Sequence, residues 1–192
     1  MVRNFHLADL FTIANGFCGV AAVFQAMTFL ATQERWRVYV AALLVPVAGG
    51  FDLLDGRIAR WRHQASPMGR ELDSLADVIS FGVAPAGIAF AAGLRSGVDQ
   101  LILMYFVGCG VSRLARYNIT AEALAAQGEK VRYFEGTPIP SSIVPLGILL
   151  AAFHQQRVTP VSVLGLELHL LSLLFFLSGS LMISRTIRIP KP

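Results

Sequence analysis

FDLLDGRIARWRHQASPMGRELDSLAD, residues 51–77, brings Asp52, Asp55, Asp73 and Asp77 together between two runs apolar enough to lie in a membrane. An ionised aspartate at the centre of a spanning helix costs at least about 2.5–3.5 kcal/mol, so four are retained only where cations or a ligand neutralise them. The stretch reads as a site, and its flanks decide the fold.

Hydrophobic residues make up 55% of the 192 and charged residues only 15%, with a mean hydropathy of +0.60. Such a chain is a polytopic membrane protein rather than a soluble globule. Six helices are expected to span, over about 8–31, 37–62, 69–94, 98–117, 138–156 and 160–183, in an all-α fold of one domain, 1–192. A short interfacial helix is expected over 1–9, where Arg3, Asn4, His6 and Asp9 alternate with Phe5 and Leu7. No cleavable leader is expected, because the run after Phe5 has no small-residue cleavage site followed by polar chain.

Six spans put both termini on one side, with Arg3, Arg57, Arg60, Arg62, Arg70, Arg113, Arg116, Lys130, Arg132, Arg185, Arg188 and Lys191. Only Arg35, Arg37, Arg95 and Arg157 fall on the other, so the first side, with the aspartates, is cytoplasmic by the positive-inside rule. The net charge of +4 then reflects topology and anionic head groups, and nucleic acid is not an expected partner. Cys18 and Cys109 lie in apolar helices without close Cys or His partners, so neither a disulfide nor a zinc site is expected.

In the first span Thr12, Asn15, Gly16 and Gly19 form a polar and small stripe at helical spacing that faces something other than lipid. A buried carboxamide such as Asn15 needs partners, which a ligand or a neighbouring helix can supply. The second helix runs past Gly49-Gly50, with Asp52, Asp55, Ala59 and Arg62 on one face, until Ser66-Pro67 breaks it. Gly69 starts the third, where Asp73 and Asp77 stand one turn apart, and Pro85 is the expected kink below them.

Two antiparallel helices, each offering two carboxylates, can converge all four on one small volume. Carboxylates without His or Cys are hard ligands that favour Mg²⁺, Mn²⁺ or Ca²⁺, and four suffice for two ions. An ion pair suits phosphoryl transfer, since it cancels the charge on a pyrophosphate while a free carboxylate takes the proton of an attacking hydroxyl. Gly56, Ala59 and Gly69 leave a groove for a bulky ligand, and Arg60 carries a planar guanidinium suited to phosphate. Taken alone, D-x₂-D is a solvated face or an ion pair with Arg57 and Arg62. The whole pattern, D-x₂-D-G-x₂-A-R-x₈-G-x₃-D-x₃-D, specifies eight positions at fixed spacing and is too particular for that reading.

The pattern resembles, at all eight positions, the signature of the CDP-alcohol phosphotransferase family, membrane enzymes that move a phosphate-linked group from a CDP-linked donor to an alcohol. The resemblance implies a six-helix fold, usually a homodimer, with two Mg²⁺ or Mn²⁺ ions on Asp52, Asp55, Asp73 and Asp77. Asp77 would also be the general base. Gly56, Ala59, Arg60 and Gly69, with Asp55 and Asp73, would receive the CDP part, and Asn15 would contact the nucleotide.

Beyond the signature, RNFHLADLFTIANGFCG, GRELDSLADVISFGVAPA, SRLARYNIT, YFEGTPIPSS and RIPKP are similar to the members of that family that use L-serine as the acceptor. That similarity covers nearly the whole chain and implies CDP-diacylglycerol and L-serine as substrates. The compartment would be the endoplasmic reticulum membrane in a eukaryote or the inner membrane in a bacterium. The serine carboxylate needs a cation, for which Arg113, Arg116 and Lys130, with Asn118, are the candidates; membrane anchoring is the competing role of these basic residues. Two other functions are weighed. A sister transferase taking inositol, inositol phosphate or glycerol 3-phosphate would use the same aspartates. A divalent-cation transporter would want its carboxylates near the midplane, on broken helices, and has no need of the Gly/Ala/Arg groove.

Overall fold

The structure, a computed structural model, describes residues 7–62, 67–126, 133–163, 166–184, 186 and 188–190, with side chains over 8–58, 68–121, 136–162, 167–184 and 186. It is mostly helical and falls into two compact units, Met1–Ile88 and Ala89–Pro192.

The first unit is built on α1 (Leu7–Thr32) and α2 (Trp36–Arg62), joined by a tight turn. At that turn Gln33 adopts φ 58° and its N–H donates to Phe29 O at 2.8 Å. Arg37 closes the turn with Glu34 at 2.6 Å and lies 4.6 Å over the Trp36 ring, an arrangement suited to a membrane interface. Ala22, Ala26, Ala41 and Ala48 are buried, so small side chains let the two backbones approach. Large apolar residues point outward instead: Phe17 is 71% exposed and Phe24 61%. Thr12 and Asn15 on α1 are buried meanwhile. Apolar outside and polar inside is the pattern of a helix in lipid.

The third helix begins as α3 (Pro67–Asp77), widens into a π-helical segment (Val78–Val83) and resumes as α4 (Ala84–Ala92). Ala84 N–H donates to Ile79 O, five residues back. Pro85 has no N–H to give to the preceding turn, so the α ladder is interrupted there in any case. The irregularity thus falls between Asp77 and Pro85, ahead of the kink the sequence predicts. This wide turn lets α1 come very close. A Cβ on Gly19 would sit 2.6 Å from Ser80 Oγ and 2.8 Å from Ser80 Cα. Gly19→Val should therefore lower stability by about 1–3 kcal/mol, read as a drop in melting temperature in detergent, whereas Gly50→Ala, where a Cβ meets nothing within 4 Å, should not.

The second unit contains α5 (Gly97–Ala126), α6 (Ile143–His154) and α7 (Ser172–Ile183). Gly179 of α7 lies against α5, where a Cβ would come 3.2 Å from Phe106 Cα, and Phe106 meets Phe175 edge-on at 5.3 Å. Asp99 caps α5 reciprocally with Ser96, each N–H donating to the other's side chain at 3.1 Å. The same carboxylate accepts from His169 N–H at 3.1 Å and lies 2.6 Å from His169 Nδ1. That pairing ties α5 to the approach to α7.

Several expectations change. The span expected over 160–183 begins instead as paired strands rather than helix: β2 (Val161–Val163) pairs with β3 (Leu166–Leu168), and helix starts only at Ser172. Alternation in V-S-V and L-E-L favours strand there. A second ladder joins β1 (Tyr133–Glu135) to β4 (Arg188–Pro190), so the fold is not wholly α. The helix expected over 98–117 runs on to Ala126 as α5, through the helix formers AEALAA. Of the interfacial segment expected over 1–9, residues 1–6 lie outside the described residues and 7–9 belong to α1. Four helices, Ala8–Thr32, Trp36–Ile58, Met68–Ala92 and Gly97–Ala121, are long and apolar enough to cross a membrane; Ile139–His154 and Ser172–Ile183 are apolar but shorter.

Candidate active site

Three of the four carboxylates come together. Side-chain oxygens of Asp52 and Asp55 on α2 and of Asp73 on α3 lie within 4.8 Å of one another. Asp55 is buried and the other two are half-buried. Three carboxylates at that separation repel strongly in a poorly solvated site unless a cation stands among them. Asp73 Oδ1 is itself buried without a hydrogen-bond partner among the described residues, an acceptor left for a ligand. The donor set is all oxygen, which fits a hard divalent cation.

Asp77 is not one of the three convergent groups. It stands one turn beyond Asp73, where the π-helical segment begins, and is 7% exposed. Its Oδ1 accepts from Asn15 Nδ2 at 3.1 Å. Thr12 Oγ1 donates to Asp55 Oδ2 at 2.7 Å, and Ser80 Oγ donates to Asn15 O at 2.8 Å, anchoring α1 on the third helix. The stripe on α1 is thus directed at the aspartates, with Asn15 contacting Asp77 through its amide nitrogen.

At Gly56 an added Cβ would meet nothing within 4 Å, so the backbone beside Asp55 is open to a ligand. Gly69 is half-buried in the first turn of α3. Ala59 and Arg60 belong to α2, but their side chains lie outside the described residues, as does all of Lys130. Arg113 is 6% exposed. Arg116 donates from Nη1 to Ile183 O at 3.2 Å. With Tyr105, Gly108, Cys109, Ser112 and Ile183, it lines a cavity of about 640 Å³. Asn118 is half-buried on the same helix. The aspartates belong to the first unit and these α5 residues to the second.

Sequence reasoning singled out Thr12 as part of a stripe without finding its partner, and it passed over Ser80 and the Asp99–His169 pair. Ser96-x-x-Asp99 is a capping-box spacing that marks Asp99. Nothing local marks Ser80.

Comparison with known proteins bears on what such a site does. The sequence model of the CDP-alcohol phosphatidyltransferase family matches residues 5–178. A Saccharomyces cerevisiae protein described as CDP-diacylglycerol–serine O-phosphatidyltransferase is 40% identical over 212 aligned positions, covering 100% of this chain and 73% of the yeast protein. A Bacillus subtilis protein of the same description is 30% identical over 151 positions, covering 78% of this chain and 77% of its own. A third, from Helicobacter pylori, is 39% identical over 138 positions, and the match spans 53% of its length.

Proposed function

The chain belongs to the CDP-alcohol phosphatidyltransferase family, and from that premise we propose that it transfers the phosphatidyl group of CDP-diacylglycerol to the hydroxyl of L-serine, giving phosphatidylserine and CMP. The observation that carries the reaction class is the meeting of Asp52, Asp55 and Asp73 within 4.8 Å, beside the open backbone at Gly56. Serine as the acceptor is supported by the relatives described above.

Asp52, Asp55 and Asp73, with Asp77, would hold two divalent cations, Mg²⁺ or Mn²⁺. Such cations, when bound, neutralise the pyrophosphate and the charge that develops on the leaving phosphate. Gly56, Ala59 and Gly69 admit the CDP part, Arg60 grips its phosphate, and Asn15 borders it through its side-chain Oδ1, which has no hydrogen-bond partner among the described residues. Serine is held by its carboxylate, with Arg113 and Arg116 as the principal cations and Asn118 and Lys130 beside them. Its hydroxyl oxygen attacks the phosphorus that bears diacylglycerol as Asp77 takes the proton. The bond between the two phosphates breaks, and CMP leaves with that electron pair.

The domain is single over 1–192, with six spans, both termini cytoplasmic and the site facing the cytoplasm. In this reading the short helices α6 and α7 complete the last two spans together with flanking chain. The protein works as a homodimer in the endoplasmic reticulum membrane of a eukaryote or the inner membrane of a bacterium.

Acceptor choice is tested by giving the purified protein CDP-diacylglycerol, Mn²⁺ and labelled L-serine, inositol, inositol phosphate or glycerol 3-phosphate in parallel. Label should enter lipid from serine alone. Label from one of the other acceptors in its place would assign a sister reaction.

A further inference from the structure

The first helix carries none of the signature aspartates, yet two of its side chains reach them. Thr12 and Asn15 stand one turn apart on α1, 4% and 0% exposed. Thr12 Oγ1 is 2.7 Å from Asp55 Oδ2 and 3.2 Å from Ala8 O. A hydroxyl has one proton, and the shorter contact, to a carboxylate that can only accept when ionised, takes it. Asn15 Nδ2 reaches Asp77 Oδ1 at 3.1 Å. Its backbone carbonyl is pinned by Ser80 Oγ at 2.8 Å, three residues past Asp77, so Asn15 cannot shift along the third helix without breaking that bond. The close approach at Gly19 continues the same seam.

We propose that Thr12 and Asn15 are positioning residues with separate duties: Thr12 holds the Asp55 carboxylate in its metal-binding orientation, and Asn15 holds Asp77 in its proton-accepting one. The division follows from which oxygen each occupies. With Oδ2 of Asp55 engaged by Thr12, the carboxylate cannot rotate freely, which fixes its orientation toward Asp52 and Asp73. With Oδ1 of Asp77 engaged by Asn15, Oδ2 is the oxygen left for the serine hydroxyl. Outer partners of ligating carboxylates typically alter metal affinity or activity by 10–100-fold. The inference rests on the metal-and-base reading of the aspartates given above.

The test compares Thr12→Val, Thr12→Ser, Asn15→Leu and Asp55→Asn as purified full chains in lipid nanodiscs. Bound Mn²⁺ is counted by electron paramagnetic resonance and turnover is measured at saturating Mn²⁺. Thr12→Val should weaken Mn²⁺ binding by about 10–100-fold, and Thr12→Ser should restore it to within about threefold. Asn15→Leu should keep serine KM and lower kcat by about 10–100-fold, with a smaller loss of Mn²⁺ affinity than Thr12→Val because Asp52, Asp55 and Asp73 keep their orientation. If Thr12→Val does not assemble, Thr12→Ala against Thr12→Ser makes the same comparison. Unchanged Mn²⁺ affinity in Thr12→Val, or equal losses of affinity and kcat in both the Thr12 and Asn15 variants, would overturn the proposal while Asp55→Asn still loses the metal. Full Mn²⁺ binding by Asp55→Asn would instead remove the metal reading itself, and the proposal with it.

Discussion

Asp77→Asn should lower phosphatidyl transfer by about 10²–10⁴-fold, the range that a positioned general base contributes, while CDP-diacylglycerol still binds. The substitution is nearly isosteric. Its carboxamide oxygen can still accept from Asn15 Nδ2, which donates to Asp77 Oδ1 at 3.1 Å in the parent, so the seam between α1 and the third helix stays closed. What is lost is a basic lone pair for the serine proton, because a carboxamide does not take up a proton at neutral pH. Asp52, Asp55 and Asp73, the three whose oxygens converge, remain to hold cations. Single-turnover transfer and equilibrium binding of CDP-diacylglycerol separate the two effects, and undiminished transfer would remove Asp77 from the base role.

Chelation should abolish transfer, and added Mn²⁺ or Mg²⁺ should restore it. Asp73→Asn should be the companion variant that no added metal rescues within the millimolar range. Asp73 sits at the centre of the expectation because its Oδ1 is buried without a partner among the described residues. An orphaned buried acceptor costs about 1–3 kcal/mol, and a cation is the species that compensates it best among three carboxylates. Asn in its place removes a full charge and one ligand oxygen, so Mn²⁺ affinity should fall by at least about 100-fold, beyond the range typical of losing a hydrogen-bond partner of a ligand. Retained Mn²⁺ binding in Asp73→Asn would exclude Asp73 as a ligand.

Much of this was legible before any coordinates. The spacing of Asp52 and Asp55, and of Asp73 and Asp77, fixes which residues share a helix face, and Ser66-Pro67 predicts a break between the two helices, so the meeting of Asp52, Asp55 and Asp73 is expected from local rules. Membrane embedding was legible from apolar run length, and the structure has Phe17 and Phe24 exposed while Asn15 is buried. The rest depends on contacts distant in sequence. Thr12 finds Asp55 across 43 residues and Ser80 finds Asn15 across 65, and no periodicity encodes a partner's identity. The π-helical segment was equally hidden, since Pro85 announces a break without saying which ladder absorbs it. The hairpin before α7 was missed for another reason. Val161 to Leu168 is apolar enough to extend a span, and hydropathy averaging does not register the two-residue alternation that makes it strand.

The central claim is that Asp52, Asp55 and Asp73 form a cation cradle used on a nucleotide diphosphate. Its most direct test is anomalous diffraction from crystals grown with Mn²⁺ and CDP-diacylglycerol. The prediction is two Mn²⁺ peaks within ligand distance of those three aspartates, with the pyrophosphate bound to them beside Gly56. Manganese peaks elsewhere, or CDP-diacylglycerol bound with no metal among these carboxylates, would contradict it.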